Sequence, residues 1–244
     1  DIFRLPVDRV FTLKGHGTVV TGTVASGAVE AGEEVCIQPQ GTLSRARSLQ
    51  CHGDPAEVVR TGRRCAMNVQ GVEVDDIHRG DVVCRPGTLF PSRRWLVRLS
   101  SLGSAPRPLR QRTEVHFHHG TRECAARVRF YDRDKLAPGE SCLAELRFSE
   151  DMVGLFGDHC VLRAYSPLRT VAGGIVVSPL PPELRARDPQ RAEKLALLNR
   201  LPELAAPDYL TAHTASDLVA AALELAGAAG ADVPHLQALT GLGA

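Results

Sequence analysis

The sequence predicts a mainly β protein, with two consecutive β-barrels followed by a small α-helical segment. Three observations carry that reading. Up to about residue 180 the chain is a succession of short β-branched or alternating runs broken by Gly- and Pro-containing turns, the pattern of a sandwich or closed barrel. From Pro181 onward aromatics disappear except for Tyr209, and alanine and leucine dominate. The chain is 43% apolar and 23% charged over 244 residues, enough for several domains with substantial cores.

The first unit is expected over residues 1–89. Phe3, Leu5 and Val7 alternate with Arg4, Pro6 and Asp8, and Val10, Thr12 and Lys14 alternate with Phe11 and Leu13, the period of a strand. Gly15 and Gly17 flank His16 and mark a turn that needs positive φ. Residues 18–24 are β-branched apart from Gly22, which favours strand over helix. Turns follow at Ser26-Gly27 and Ala31-Gly32, then strands over residues 34–37, 43–51, 64–69 and 80–84. Arg79-Gly80-Asp81 reads as a turn entering the last of these rather than as an adhesion motif.

The second unit is expected over residues 90–180. Strands fall at 94–99, 113–118, 124–130, 141–148, 159–163 and 169–177, with a Pro/Arg-rich connection over 104–112. In 113–118, Val115 and Phe117 point inward and Glu114, His116 and His118 outward. The third unit, 181–244, is helical. Asp188-Pro189 reads as an N-cap with proline at the first helical position, opening a helix that ends near Asn199, before Pro202. Thr214 or Ser216 caps a second helix to about Ala226, stopped by Gly227 and Gly230. A third short helix spans 233–239, and Thr240-Gly241-Leu242 resembles the turn of a helix-turn-helix.

Composition excludes several classes. Net charge is +1, so any nucleic-acid surface must come from local clustering. Arginine outnumbers lysine 26 to 3, which a base-composition bias explains without invoking phosphate recognition. The seven cysteines form no C-x-x-C pair. They read as small buried hydrophobes in a reducing, cytoplasmic protein rather than as a zinc or disulfide framework. No apolar run is long enough to span a bilayer, and a monomer is expected. No G-x-x-x-x-G-K-S/T run, G-x-S-x-G or H-E-x-x-H occurs, so no catalytic residue is assigned. His116, His118 and His119 are the only histidine cluster, and without a carboxylate or cysteine at ligand spacing no metal is expected there.

Residues 10–24 read VFTLKGHGTVVTGTV and are followed by Gly27, Gly32, Glu34 and Val35. This run resembles the second-domain barrel of translational GTPases. Residues 46–52 (ARSLQCH), 62–73 (GRRCAMNVQGVE) and 77–81 (IHRGD) narrow the resemblance to the selenocysteine-specific elongation factors. Residues 119–121, 136–139, 157–159 and 170–174 are similar to the third domain of the same factors. The resemblance implies a piece of a longer protein, downstream of its nucleotide-binding domain and ending inside the first winged-helix domain. It implies binding of selenocysteinyl-tRNA for delivery to the ribosome at UGA codons, with an mRNA hairpin held by further winged-helix domains. GTP and Mg2+ are implied for the whole factor and no cofactor for this chain. An elongation factor Tu-like protein, the GTPase subunit of sulfate adenylyltransferase, and a binding module acting without any GTPase are the alternatives.

By motif position the resemblance implies a selenocysteine pocket at Asp8, Arg9 and Arg64. A selenol is largely ionised at neutral pH where a serine hydroxyl is not, so fixed guanidiniums favour it. The competing reading is a structural Asp8–Arg9 ion pair on the barrel rim. Lys14, His16 and Gly17, in the adjacent turn, are expected near the tRNA 3′ end. From Arg93 to Arg129 nine arginines meet only two acids, Glu114 and Glu123, a basic stretch suited to a phosphate backbone. Arg107, Arg110, Arg112, His119 and Arg122 are expected on a tRNA-stem face.

Overall fold

The computed structural model describes residues 1–15, 17–184, 191–204, 212–226 and 231–242. The described part is mainly β, with two closed six-stranded antiparallel barrels and short C-terminal helices. Its contacts group residues 1–91 with 120–123 in one compact unit, and 92–119 with 124–242 in another.

The first unit contains β1 (Arg4–Leu13), β2 (Gly17–Thr23), β3 (Ala28–Glu30), β4 (Glu34–Gln38), β5 (Thr42–Cys51), β6 (Asp54–Ala56), β7 (Val58–Arg60), β8 (Arg64–Val69) and β9 (Val82–Cys84). The sheet runs β4-β9-β1-β2-β8-β5, and pairing of β4 with β5 closes it, so no ring strand is left with an open edge. Phe3, Leu5, Val7, Val20, Val35, Ile37, Met67 and Val83 fill the interior, the inward set that period-two alternation demands. The short β3 and β7 pair with each other outside the ring. Between Val7 and Arg9 the β1–β2 register shifts, so β1 carries an extra residue, Asp8, at a bulge. Gly22 lies opposite Val7. A Cβ there would sit 2.2 Å from the Pro6 carbonyl oxygen, so close approach of the backbone requires glycine.

The second unit contains β10 (Ser92–Ser101), β11 (Leu109–Arg110), β12 (Glu114–His119), β13 (Arg122–Phe130, whose first two residues group with the first unit), β14 (Lys135–Leu136), β15 (Ser141–Met152), β16 (His159–Arg163) and β17 (Thr170–Ser178). Its ring order is β10-β15-β13-β12-β16-β17, closed by β10 against β17. The core centres on Trp95, fully buried, with Phe117 and Phe148 edge-on at 5.7 and 5.1 Å. Such aromatic contacts add to the stabilisation from area burial alone. Gly174 packs where a Cβ would come within 2.5 Å of Val97.

Helices α1 (Arg191–Leu204), α2 (Ala212–Ala226) and α3 (Val233–Thr240) complete this unit. Leu198, Leu218, Ala221 and Leu225 cover Leu96, Leu143 and Val177 on the outer face of the barrel. Asp232 caps α3 through the His235 amide at 2.9 Å, and Gly241 ends it at φ 70°, the left-handed conformation glycine favours.

Several boundaries differ from the sequence reading. Helix α1 continues through Pro202, although proline lacks the amide that would bond back one turn. Helix α2 starts at Ala212, which places Thr214 inside it rather than at its cap. The Asp188-Pro189 cap lies outside the described residues. From Phe11 to Leu13 both faces of β1 are exposed, where alternation predicted one buried face.

Candidate functional site

Asp8, Thr21 and Arg64 come from three adjacent strands, β1, β2 and β8. The bulge aims Asp8 across β2. The Arg64 guanidinium donates Nη1 to Asp8 Oδ2 at 2.6 Å and Nη2 to Oδ1 at 3.0 Å, a bidentate fork. The Thr21 hydroxyl donates to Oδ1 at 2.7 Å. Partial burial pushes the Asp8 carboxyl up, but Arg64, Thr21 and the nearby charge of Arg9 outweigh it and hold it below the usual carboxylate value. Asp8 therefore pairs with Arg64, not with Arg9. Arg9 is exposed and makes no ion pair among the described residues. Asp8, Arg64 and Arg9 together carry one net positive charge, and Arg64 keeps three of its five donors free of Asp8.

Lys14 and Gly17 frame the β1–β2 turn, where Gly15 and Gly17 have φ of 81° and 84° with open space around them. His16 lies outside the described residues. Phe11 and Leu13, on the same arm, are large exposed apolar side chains that sequence reasoning did not single out.

Asp81, the acid of Arg79-Gly80-Asp81, is fully buried. It accepts from Arg122 Nη1 at 2.8 Å, Gln40 Nε2 at 2.8 Å and the His78 amide at 2.7 Å. Gly80, at φ 99°, makes room for the Arg122 stem. The tripeptide is a turn, as its context predicted, and Arg122 is spent on a buried carboxylate instead of an RNA face. His119 is likewise withdrawn. It is largely buried, its Nε2 lies 3.0 Å from Asp158 Oδ2, and it stands edge-on to Trp95.

Arg107 and Arg110 do share a surface. They line a groove of about 710 Å³ together with Arg169, Tyr165, Glu114 and the flanking prolines. Tyr165 donates its hydroxyl to Glu114 at 3.4 Å and lies 3.9 Å, ring to ring, from His116. Arg169 and Tyr165 were missed because they fall outside the arginine-rich stretch and only the fold brings them back to it. Arg112 belongs to a different cavity, with Arg127, Arg129 and Arg147. Six of the seven cysteines are buried and Cys51 is half-buried.

The closed rings are those of translational elongation-factor barrels, as family matches in both units show. Residues 17–84 match the model of elongation factor Tu domain 2. Residues 96–183 match the beta-barrel domain of the selenocysteine-specific elongation factor. The chain is 49% identical over 98% of its length to a selenocysteine-specific elongation factor of Desulfomicrobium baculatum, and 35% identical over 86% to that of Escherichia coli K12. The crystal structure of a bacterial selenocysteine-specific elongation factor, EF-Sec, superimposes with a TM-score of 0.73 at 23% identity, over 99% of this chain and 36% of that one. The chain belongs to the selenocysteine-specific elongation factor family. It spans about a third of these relatives, 36% and 32% of their lengths. Among the described residues no helix is long and apolar enough to cross a membrane.

Proposed function

We propose that this chain is the aminoacyl-tRNA-binding part of a selenocysteine-specific elongation factor, with residues 1–89, 90–180 and 181–244 as its functional parts. The first barrel receives the charged 3′ end and the second the stem. In the whole factor this binding serves delivery to the ribosome at UGA codons, while winged-helix domains hold an mRNA hairpin. GTP and Mg2+ are proposed for that factor, and no role in binding them is assigned to this chain. Its Gly15–Gly17 turn joins two strands rather than opening a helix, so it offers no phosphate cradle backed by a helix N-terminus.

The observation that carries the reading is the Asp8–Arg64 fork beside the exposed Arg9. Asp8 fixes one guanidinium in place, and Arg9 supplies the uncompensated charge. A selenolate gains from both, whereas a neutral seryl hydroxyl gains only a hydrogen bond. Lys14 and Gly17 of the neighbouring turn are assigned to the terminal adenosine, with His16, which lies between them in sequence. In the second unit the Arg107–Arg110–Arg169 groove, with Tyr165 as a stacking surface, suits the backbone of the stem.

Nuclease footprinting of selenocysteinyl-tRNA bound to the chain tests this assignment. Protection of the 3′ terminus and the T-stem is expected. Protection confined to the anticodon arm, or none, would overturn it.

A further inference from the structure

All seven cysteines are free thiols. Four of them stand in directly opposed pairs on neighbouring strands of the first barrel. Cys36 of β4 faces Cys84 of β9, and Cys51 of β5 faces Cys65 of β8. Opposed residues of an antiparallel ladder have Cα atoms about 4.5–5.5 Å apart, inside the span of roughly 4.4–6.8 Å that a disulfide bridges. Register therefore makes both pairs geometrically able to close.

Their surroundings differ. Cys51 and Cys65 pack into the apolar interior with Leu49 and Met67, where burial pushes the Cys65 thiol up to about 11. Val35, Ile37 and Val83 fill that same interior, so alternation turns Cys36 and Cys84 to the outer face of the ring. There they are 4% and 0% exposed, among polar groups. Gln38 Nε2 donates to Cys36 Sγ at 3.7 Å, and the Cys84 thiol donates to the Cys36 carbonyl at 3.6 Å. The Cys84 thiol also reaches the Cys36 sulfur, and that hydrogen bond outweighs burial and holds the Cys36 thiol below its ordinary value. Arg4 of β1 stands opposite Cys84 on its other side. Hydrogen-bond donors and a positive charge around a thiol favour the thiolate, which is the reactive form. In the second unit burial does the reverse, pushing Cys142 up to about 11 and Cys160 to about 12.

We propose that Cys36 and Cys84 form a reversible oxidation site, at which hydrogen peroxide joins β4 to β9 through a disulfide. Cys36, the less deeply buried of the two, is the attacking sulfur. Its thiolate bonds to one peroxide oxygen and the O–O bond breaks. The departing hydroxide takes up the proton that Cys36 had given to solvent and leaves as water, and Cys36 carries a sulfenic acid. The Cys84 sulfur then bonds to the Cys36 sulfur, the S–O bond breaks, and the leaving hydroxide takes the Cys84 proton to form a second water. Two thiols have lost two electrons and two protons, and peroxide has been reduced to two waters. An external dithiol reverses the reaction by exchange. A link between residues 36 and 84 closes a long loop of the unfolded chain, so oxidation makes the first barrel harder to unfold. Neither cysteine belongs to the Asp8–Arg64 fork, and the site does not depend on what the fork binds.

The test treats the reduced chain at neutral pH with dilute hydrogen peroxide, blocks the remaining thiols with N-ethylmaleimide, and digests with trypsin in the absence of reductant. Cys36 is the only cysteine in tryptic peptide 15–45, and Cys84 the only one in peptide 80–93. Mass spectrometry should find these two peptides joined, in a product lighter by two hydrogens than their sum, and dithiothreitol should separate them. In C84S, dimedone should trap a sulfenic acid at Cys36. In C36S, Cys84 should remain a thiol. Circular dichroism melts confirm that each variant is folded, and the linked wild type should melt several degrees above the reduced chain. Peptides 15–45 and 80–93 recovered unlinked from folded, peroxide-treated wild type would overturn the proposal. So would a link between Cys51 and Cys65 in their place, since the polar surroundings of Cys36 would then confer no reactivity.

Discussion

Arg64 is exposed enough to meet a ligand, yet both its terminal nitrogens are bound to Asp8. Its position is therefore set before any ligand arrives. Removing it should take away one charge-assisted contact to a selenolate, about 1.5–3 kcal/mol, or roughly ten- to a hundredfold in affinity. Seryl-tRNA affinity should change little in R64A. In D8N the guanidinium remains but loses its anchor, so selenocysteinyl-tRNA affinity should fall by less than in R64A, as nitrocellulose filter binding would show. Gly22 makes a second prediction. A methyl group pressed onto the Pro6 carbonyl oxygen forces the backbone apart, so G22A should lose about 1–3 kcal/mol in urea unfolding. Stability equal to wild type would mean that β1 and β2 are not so closely apposed. Motif position grouped Asp8, Arg9 and Arg64 in one pocket but did not show which arginine Asp8 holds. Asp8 and Arg64 are 56 positions apart in sequence, and only the strand order β1-β2-β8 makes them partners. The commitments of Arg122 to Asp81 and of His119 to Asp158 were not legible either. A basic stretch shows charge but not which charges already have a buried acid.

Strand β15 carries its titration behaviour in Glu145. Burial pushes this carboxyl up, but hydrogen bonds from Tyr131 and Arg147 and the charges of Arg147 and Arg129 hold it below its ordinary value of 4.5. Because the folded value is depressed, the stabilisation is complete above pH 4.5 and is lost as pH falls through the folded value. Thermal melts of wild type should therefore drop on acidification below that point, and E145Q should show a flatter acid limb from a lower plateau. The plateau difference should be about 1–3 kcal/mol, kept modest because Arg147 and Arg129 are 51% and 40% exposed. Parallel acid limbs in the two proteins would contradict this role. The elements themselves were mostly legible. Alternation and β-branching located the long strands of both barrels, and Val115 and Phe117 do point inward. The three-residue β3 and β7 escaped because each is too short to show a period, and they hold together through pairing with each other. The exposed arm of β1 escaped because periodicity reports a repeat, not whether a second layer exists to cover it.

At the scale of the whole molecule, closure of each ring is what local patterns cannot show. The β4–β5 and β10–β17 pairings are made by long-range contact, and it was resemblance to the elongation-factor barrels, not alternation, that anticipated them. The groove follows from the same closure, since Arg107 and Arg110 meet Arg169 only when the barrel is complete. R107Q/R110Q should weaken binding of charged tRNA and reduce its salt slope by about two, leaving the preference for selenocysteine intact. An unchanged slope would remove the groove from the stem-binding surface. Whether the Asp8–Arg64 fork selects selenocysteine is decided by the ratio of selenocysteinyl-tRNA to seryl-tRNA affinity, with one tRNA body, for wild type and R64A. Wild type should show a clear preference for selenocysteine, collapsing toward unity in R64A. Equal affinity for the two aminoacyl groups in wild type, or the same preference in both proteins, would contradict it.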